Sequence, residues 1–426
     1  MTDNVAALVM AAGLGTRMRS ATPKHLHLLL GRRMVDWVIA AARETGAEPI
    51  VVVASPHTRD GFDGLDVAVQ ERPLGTGDAV RAARTKLASA NGDVLVLSGD
   101  TPLLTGDALR ELLDTHRRER AAATVLSFEP PDPRQYGRVV RDGNGRLARI
   151  VEASDAGPDE LELREVNSSI YVFASEKLWP ALERLQPKNA QGELYLTDAV
   201  GFLVNDGEPV AVHVAEDSRN VEGVNTRAEL AVAAAGLRDR INEAHMLAGV
   251  TIVDPQSTWI DGDVQIENDV TIHPFTVIRG SVTIASGVEV GPFASVRPGT
   301  EVGRDAKIGT FVEIKKSTVG ARTKIPHLSY IGDAEIGEDT NIAAGNITAN
   351  FKHEPGQPKA VTRIGSNVRT GVDNTFDAPV EVGDDAWLAP GAVITEDVPP
   401  GSLAGFAPRQ TTKKGWVYDK RGNRDD

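Results

Sequence analysis

Along residues 1–227 short apolar runs alternate with amphipathic stretches: Val5 to Met10, Met34 to Thr45, Pro49 to Ala54, Ala79 to Leu87, then Asp93 to Leu97. The alternation of strand and helix predicts an α/β, Rossmann-like unit whose mainly parallel sheet is covered by helices. Such sheets bind ligands beyond the carboxyl ends of their strands, so the residues just after Met10 and Leu97 are the place to look for chemistry. A helix is predicted over Thr226 to Leu247, because Leu230, Ala234, Leu237, Ile241 and His245 are spaced by three and four and share a face. After it the period becomes six. Ile260, Ile266, Ile272, Ile278, Ile284, Val290, Val296, Val302, Ile308 and Ile314 recur without a miss. The register slips at Val319, resumes through Ile325 and Ile331, slips at Ile336, and returns at Ile364, Thr370, Phe376, Val382, Leu388 and Ile394. Three hexapeptides per triangular coil, with each aliphatic residue pointing inward, predict a parallel β-helix.

These patterns divide the chain into an α/β domain (1–227), a linker helix (228–249), a β-helix (250–412) and a charged tail (413–426). The stretch between Ile342 and Ile364, with its Pro and polar residues, is expected to loop out of the prism. Composition narrows the function. Sixty acidic against 46 basic residues give a net charge of -14, which argues against a chain that gains affinity from nucleic-acid phosphates. The absence of cysteine excludes disulfides, thiolate metal sites and cysteine nucleophiles. No secretory signal and no apolar stretch of about 18 residues is present, so a cytoplasmic protein without stable membrane association is expected.

After the first apolar run comes Ala11-Ala12-Gly13-Leu14-Gly15-Thr16-Arg17-Met18, then Pro23-Lys24. Glycines let backbone N–H groups approach phosphate oxygens, and Arg17 and Lys24 add charge opposite a triphosphate. Extended through His25-Leu26-His27, Gly31 and Met34, this segment resembles the signature of sugar-1-phosphate nucleotidylyltransferases. With the hexapeptide region behind it, the chain resembles, over nearly its whole length, the bacterial family of bifunctional N-acetylglucosamine-1-phosphate uridylyltransferase/glucosamine-1-phosphate N-acetyltransferases. In that family the β-helix is left-handed and trimerises about its axis.

The resemblance implies contacts to the nucleotide base from Ala11, Ala12, Gly13, Gln70, Gly75 and Thr76, and to the sugar from Gly137, Glu152 and Asn167. Asp100 in Ser98-Gly-Asp100 and Asn225 would hold Mg²⁺. A sugar phosphate is already an anionic nucleophile, so in-line attack on the α-phosphate of UTP needs positioning and charge from Mg²⁺, Lys24 and Arg17 rather than a general base. In the second half His327, within Lys324-Ile-Pro-His327-Leu-Ser-Tyr330, matches the family's catalytic base, with Glu313 to orient its ring. Arg297, Lys315, Tyr330 and Asn341 would grip glucosamine 1-phosphate, the backbone N–H of Ala344 would steady the oxyanion formed from acetyl-CoA, and Asn350, Phe351 and Lys359 would lie on the sugar and acetyl-CoA side.

Four positions depart from the family pattern. Ser169 stands where Gly is usual, Phe351 replaces a Tyr, Val372 replaces a small hydroxyl residue, and the Arg expected before the tail is out of register, with Arg409 nearest. The β-helix is also about one coil short ahead of Arg297. The leading expectation is two reactions, acetylation of glucosamine 1-phosphate and then uridylyl transfer to N-acetylglucosamine 1-phosphate. A second reading keeps only nucleotidylyl transfer, with the β-helix as a trimerising scaffold. A third, a UDP-sugar sensor, predicts loss of Lys24, Asp100 or Asn225, and all three are present.

Overall fold

The computed structural model describes residues 4–13, 15–88, 91–133, 136–351, 356–405 and 410–417. Leu14, Arg409 and the greater part of the expected tail lie outside them. The chain forms two compact units, Met1–Leu237 and Arg238–Asp426.

Seven strands of the first unit run in one sheet: β1 (Val5–Met10), β2 (Ile50–Ala54), β3 (Asp66–Val69), β4 (Asp93–Ser98), β5 (Ala123–Phe128), β6 (Val166–Ala174) and β7 (Val210–Val214). Their spatial order is β7-β5-β6-β4-β1-β2-β3. β1 lies at the centre, parallel to β2 and β4, and every residue of it is buried, as expected of a strand covered on both faces. β6 runs antiparallel to both β4 and β5, a reversal that apolar alternation does not encode. A hairpin of Arg138–Arg141 and Leu147–Val151 extends from β6. Two hydrophobic clusters, one on each face of the sheet, make the core. The carboxyl ends of β1 and β4 therefore meet on one rim, where the Ala11–Lys24 segment and Asp100 follow.

The helix after this sheet spans Arg227–Leu247. On the expected face only Leu237 is fully buried, while Leu230, Ala234, Ile241 and His245 are half-buried. A polar residue carries part of the packing: Asn242 is wholly buried and its amide donates to the carbonyls of Pro255 (2.9 Å) and Thr258 (3.0 Å).

The second unit is a three-sided prism of parallel strands two to four residues long, the left-handed parallel β-helix of the expectation. Its sixth-residue aliphatics, from Ile260 to Ile394, make the core apart from the half-buried Ile266, and each fully buried one contributes roughly 1.5 to 3 kcal/mol. The register slips are shortened corners: Val290 pairs with Ile308, eighteen positions on, whereas Ile308 pairs with Ile325, seventeen on. A column of glycines, including Gly303, Gly320, Gly337, Gly365 and Gly383, follows the inward residues of one sheet. A Cβ on Gly337 would lie 2.6 Å from both the Gly365 carbonyl carbon and the Ser366 nitrogen of the next coil, so only Gly fits there.

One expectation needs correction. The break after Ile342 begins one hexapeptide later than the aliphatic pattern indicates, because Ile347–Ala349 is a strand paired with its neighbours above and below. Its inward residue is Thr348, whose hydroxyl accepts from the Gly332 N–H (2.7 Å) and donates to the Gly332 carbonyl (3.0 Å). A polar side chain can occupy the prism interior when both its hydrogen-bonding roles are met inside.

Candidate active sites

At the carboxyl ends of β1 and β4 the Lys24 ammonium donates to Asp100 Oδ2 and to Asn225 Oδ1 (3.0 Å). The Arg17 guanidinium reaches the same Asn225 oxygen at 2.9 Å. Ser98 Oγ donates to the other Asp100 oxygen at 2.7 Å. Burial alone would raise the Asp100 carboxyl, but the Lys24 charge and the hydrogen bonds from Lys24 and Ser98 outweigh it and hold its pKa at about 2. A permanently ionised carboxylate and an amide oxygen thus converge on one cation, here an ammonium. These hard oxygen donors suit Mg²⁺, which commonly takes one or two protein oxygens and completes its shell with phosphate and water. Among the described residues no group of three or more His, Cys, Asp or Glu side chains forms a self-sufficient metal cage.

Two flanking residues were not singled out by the sequence. His25 packs between Gly13 and Gly99 with its Nδ1 buried and lacking a partner; desolvation and the Lys24 charge push its pKa down to about 4, so the ring is neutral at physiological pH. Tyr136 accepts the Gly223 N–H (3.2 Å), and burial raises its phenol to about 12, so it stays a neutral anchor for the turn leading to Asn225.

The residues assigned to the base and the sugar fall into two adjoining groups. Buried Gln70 donates to the Gly75 carbonyl (3.0 Å) and to Asp78 (3.1 Å), and Thr76 Oγ1 accepts the Leu196 N–H (3.0 Å). Gly75 has φ +112, and a Cβ there would meet the Leu194 carbonyl oxygen at 2.6 Å. Ala11 and Ala12 are buried while Gly13 is open to solvent. Around the corner, Gly137 packs against the Glu152 carboxylate and its carbonyl accepts the Asn167 N–H (2.8 Å). Burial raises the Glu152 carboxyl, and Thr197 donates to it at 3.1 Å. The Asn167 amide donates to the Tyr171 hydroxyl (2.7 Å).

On the β-helix, Glu313 and Tyr330 are register partners on adjacent coils. Arg297 and Lys315 also lie one coil apart, each directly after a partner of the Val296 and Ile314 pair. The four therefore share one face. His327 ends the strand Lys324–His327 on the neighbouring sheet and is exposed, and Asn341 bridges from Lys324. Lys359 returns from the projecting loop to lie against Lys315, and this neighbouring ammonium lowers the Lys315 pKa. Three cations, Arg297, Lys315 and Lys359, are thus gathered where an anion would relieve their repulsion.

The Glu313 carboxylate, expected to orient the His327 ring, accepts from Arg297 Nη1 at 2.6 Å, a charge-assisted bond available from the coil above. Asn350 is buried, donating to Asp333 (2.5 Å) and reaching the Tyr330 hydroxyl at 3.5 Å, so it braces Tyr330. Phe351 and Val372 are exposed, and the Ala344 carbonyl accepts the Asp373 N–H (2.8 Å).

Comparison with known proteins agrees with both halves. Residues 7–200 match the MobA-like NTP transferase domain, and residues 263–297 match the bacterial transferase hexapeptide of six repeats. The chain is 45% identical to the bifunctional protein GlmU of Streptomyces coelicolor, an alignment covering 98% of this chain and 94% of the relative. It is 44% identical to the GlmU proteins of Mycobacterium avium and Mycobacterium tuberculosis, again over 98% of this chain and over 94% and 93% of theirs. With both halves matched in order and at this identity, the chain belongs to the family of bifunctional GlmU proteins.

Proposed function

We propose that the chain makes UDP-N-acetylglucosamine in two steps, acetylating glucosamine 1-phosphate on the β-helix and coupling the product with UTP on the α/β unit. The observation that carries the reading is the Lys24, Asp100, Asn225 and Arg17 cluster at the strand ends, in a chain that also keeps a cation-rich face on its β-helix. In the first step the amine of glucosamine 1-phosphate attacks the thioester carbonyl of acetyl-CoA, His327 takes the amine proton, and the thiol leaves. Arg297, Lys315 and Lys359 hold the phosphate, Tyr330 and Asn341 the sugar, and the Ala344 N–H the oxyanion. In the second step Ala11, Ala12, Gly13, Gln70, Gly75 and Thr76 seat the uridine, and Gly137, Glu152 and Asn167 seat the sugar. Lys24 and Arg17 neutralise charge as the phosphate oxygen attacks and pyrophosphate departs. Mg²⁺, held by Asp100 and Asn225, would supply further electrostatic stabilisation of the phosphates.

A homotrimer fits an exposed ladder of stacked rings on the β-helix, Phe275, Phe293 and Phe311, with centroids 4.8 and 5.1 Å apart, since a contiguous apolar stripe favours coverage by other copies. No described helix is long and apolar enough to cross a membrane, and both activated substrates are intracellular metabolites, which supports a cytoplasmic location. The pairing of Glu313 with Arg297 favours one alternative, uridylyl transfer alone with the β-helix as scaffold. The test is parallel measurement of thiol release from acetyl-CoA with glucosamine 1-phosphate, and of pyrophosphate from N-acetylglucosamine 1-phosphate, UTP and Mg²⁺. Both products are expected; pyrophosphate without thiol supports the alternative, and neither product refutes the reading.

A further inference from the structure

Ser169 has φ +62, a left-handed conformation that a residue bearing a Cβ disfavours. It lies in the bulge that breaks the β6 register between Asn167 and Tyr171. The bulge is tied down on both sides. Ser168 Oγ donates to the Leu126 carbonyl (2.7 Å) and accepts the Ile170 N–H (3.2 Å), and the Ser169 N–H donates to Asn167 Oδ1 (3.2 Å). Residues held in such conformations gather at ligand sites, and bulges re-aim side chains toward them. Here the bulge turns Ser169 into a cavity of about 150 Å³ that it lines with Met10, Thr76, Glu152, Tyr171 and Tyr195. The Tyr171 phenol lines the same cavity. A cavity of about that size holds a body the size of one benzene ring, so the Cβ and Oγ of Ser169 occupy space that further ligand atoms would need.

We propose that Ser169 is a specificity-determining residue of the sugar-phosphate site, limiting the amide substituent of the hexosamine 1-phosphate to a short acyl group. The inference rests on the uridylyl-transfer reading and adds to it a residue that sets substrate size. The acyl group is the part of such a substrate that joins a small apolar end to an amide, and the cavity joins Met10 and the Tyr195 ring to the hydroxyls of Ser169 and Tyr171.

The experiment compares the wild-type chain with Ser169→Gly and Ser169→Ala on glucosamine 1-phosphates carrying N-acetyl, N-propionyl or N-butyryl groups, measuring pyrophosphate release with UTP and Mg²⁺. Glycine adopts the positive φ without strain, so folding of that variant is secure. Ser169→Gly is expected to raise the kcat/KM ratio of butyryl to acetyl substrate about tenfold, a change of the size that one or two methylenes command in a fitted pocket. Ser169→Ala, which keeps the Cβ, should move the ratio less. Turnover of the acetyl substrate with a ratio in Ser169→Gly within about twofold of wild type, too small for a lost steric limit, would overturn the proposal alone. No pyrophosphate from any of the three substrates would overturn the uridylyl-transfer reading, and the proposal with it.

Discussion

Replacing Lys24 by Met retains the aliphatic stem and removes the ammonium that joins Asp100 to Asn225. In the wild-type chain the fall of the Asp100 pKa from 3.8 to about 2 corresponds to about 2 to 3 kcal/mol of stability. Because the folded pKa is depressed, that contribution is fully present above about pH 4 and is lost as the pH falls toward 2. In Lys24→Met the dominant counter-charge is gone and burial raises the carboxyl, so at neutral pH an ionised Asp100 lacks its main partner. Breaking a buried pair costs about 3 to 5 kcal/mol, and the residual 16% exposure of the Asp100 side chain places the loss near the lower end, about 3 kcal/mol. For a unit of this size that is a drop of about 6 to 12 °C in Tm. Calorimetry at pH 7 without divalent cations should show it in the transition of the α/β unit. Asp100→Asn in the same chain should restore most of the loss, since the stranded charge is removed. A Lys24→Met protein melting within about 1 °C of wild type, well under the expected drop, would refute the reasoning. So would a double variant whose loss equals the sum of the two single losses.

Tyr136→Phe removes the acceptor of the Gly223 N–H; stability should fall by about 1 kcal/mol and uridylyl transfer several-fold, with thiol release unchanged, as parallel assays would show. Gly337→Ala places a Cβ against two backbone atoms of the next coil and should cost about 3 kcal/mol. Gly391→Ala, with φ +71 but nothing within 4 Å, should cost only about 1 to 2 kcal/mol; guanidinium unfolding of the two variants gives the comparison. Lys359→Ala relieves the repulsion on Lys315 but removes a phosphate contact, so the KM for glucosamine 1-phosphate should rise about tenfold while the KM for UTP stays constant. An unchanged glucosamine 1-phosphate KM would remove Lys359 from the site.

The prism was legible because its core makes one demand at every sixth residue, and the side chains that meet it, such as Ile308 and Ile314, are wholly buried. Thr348 escaped notice because its fitness for the interior depends on Gly332, one coil away, and not on its own polarity. Lys24 could be picked out beside the glycine loop, and Asp100 and Asn225 through the family resemblance, but their convergence joins residues 76 and 201 positions apart and is a product of the sheet order. Likewise, hexapeptide spacing placed Glu313, Tyr330, Arg297 and Lys315 on one face. It could not say that Arg297 would reach the Glu313 carboxylate. Local composition gave no sign of the antiparallel β6 or of its bulge, although the bulge orients Ser169. Residues such as His25 and Tyr136 act by filling and bracing, which single-chain patterns do not distinguish from ordinary packing.

The central claim is that one chain carries two chemically independent sites. It is tested most directly by measuring both thiol and pyrophosphate release for Asp100→Ala and His327→Ala, with calorimetry to establish that each variant is folded. Asp100→Ala should lose pyrophosphate release and keep thiol release, and His327→Ala should do the reverse. If either substitution stopped both reactions in a folded protein, or left both intact, the two-site account would be contradicted.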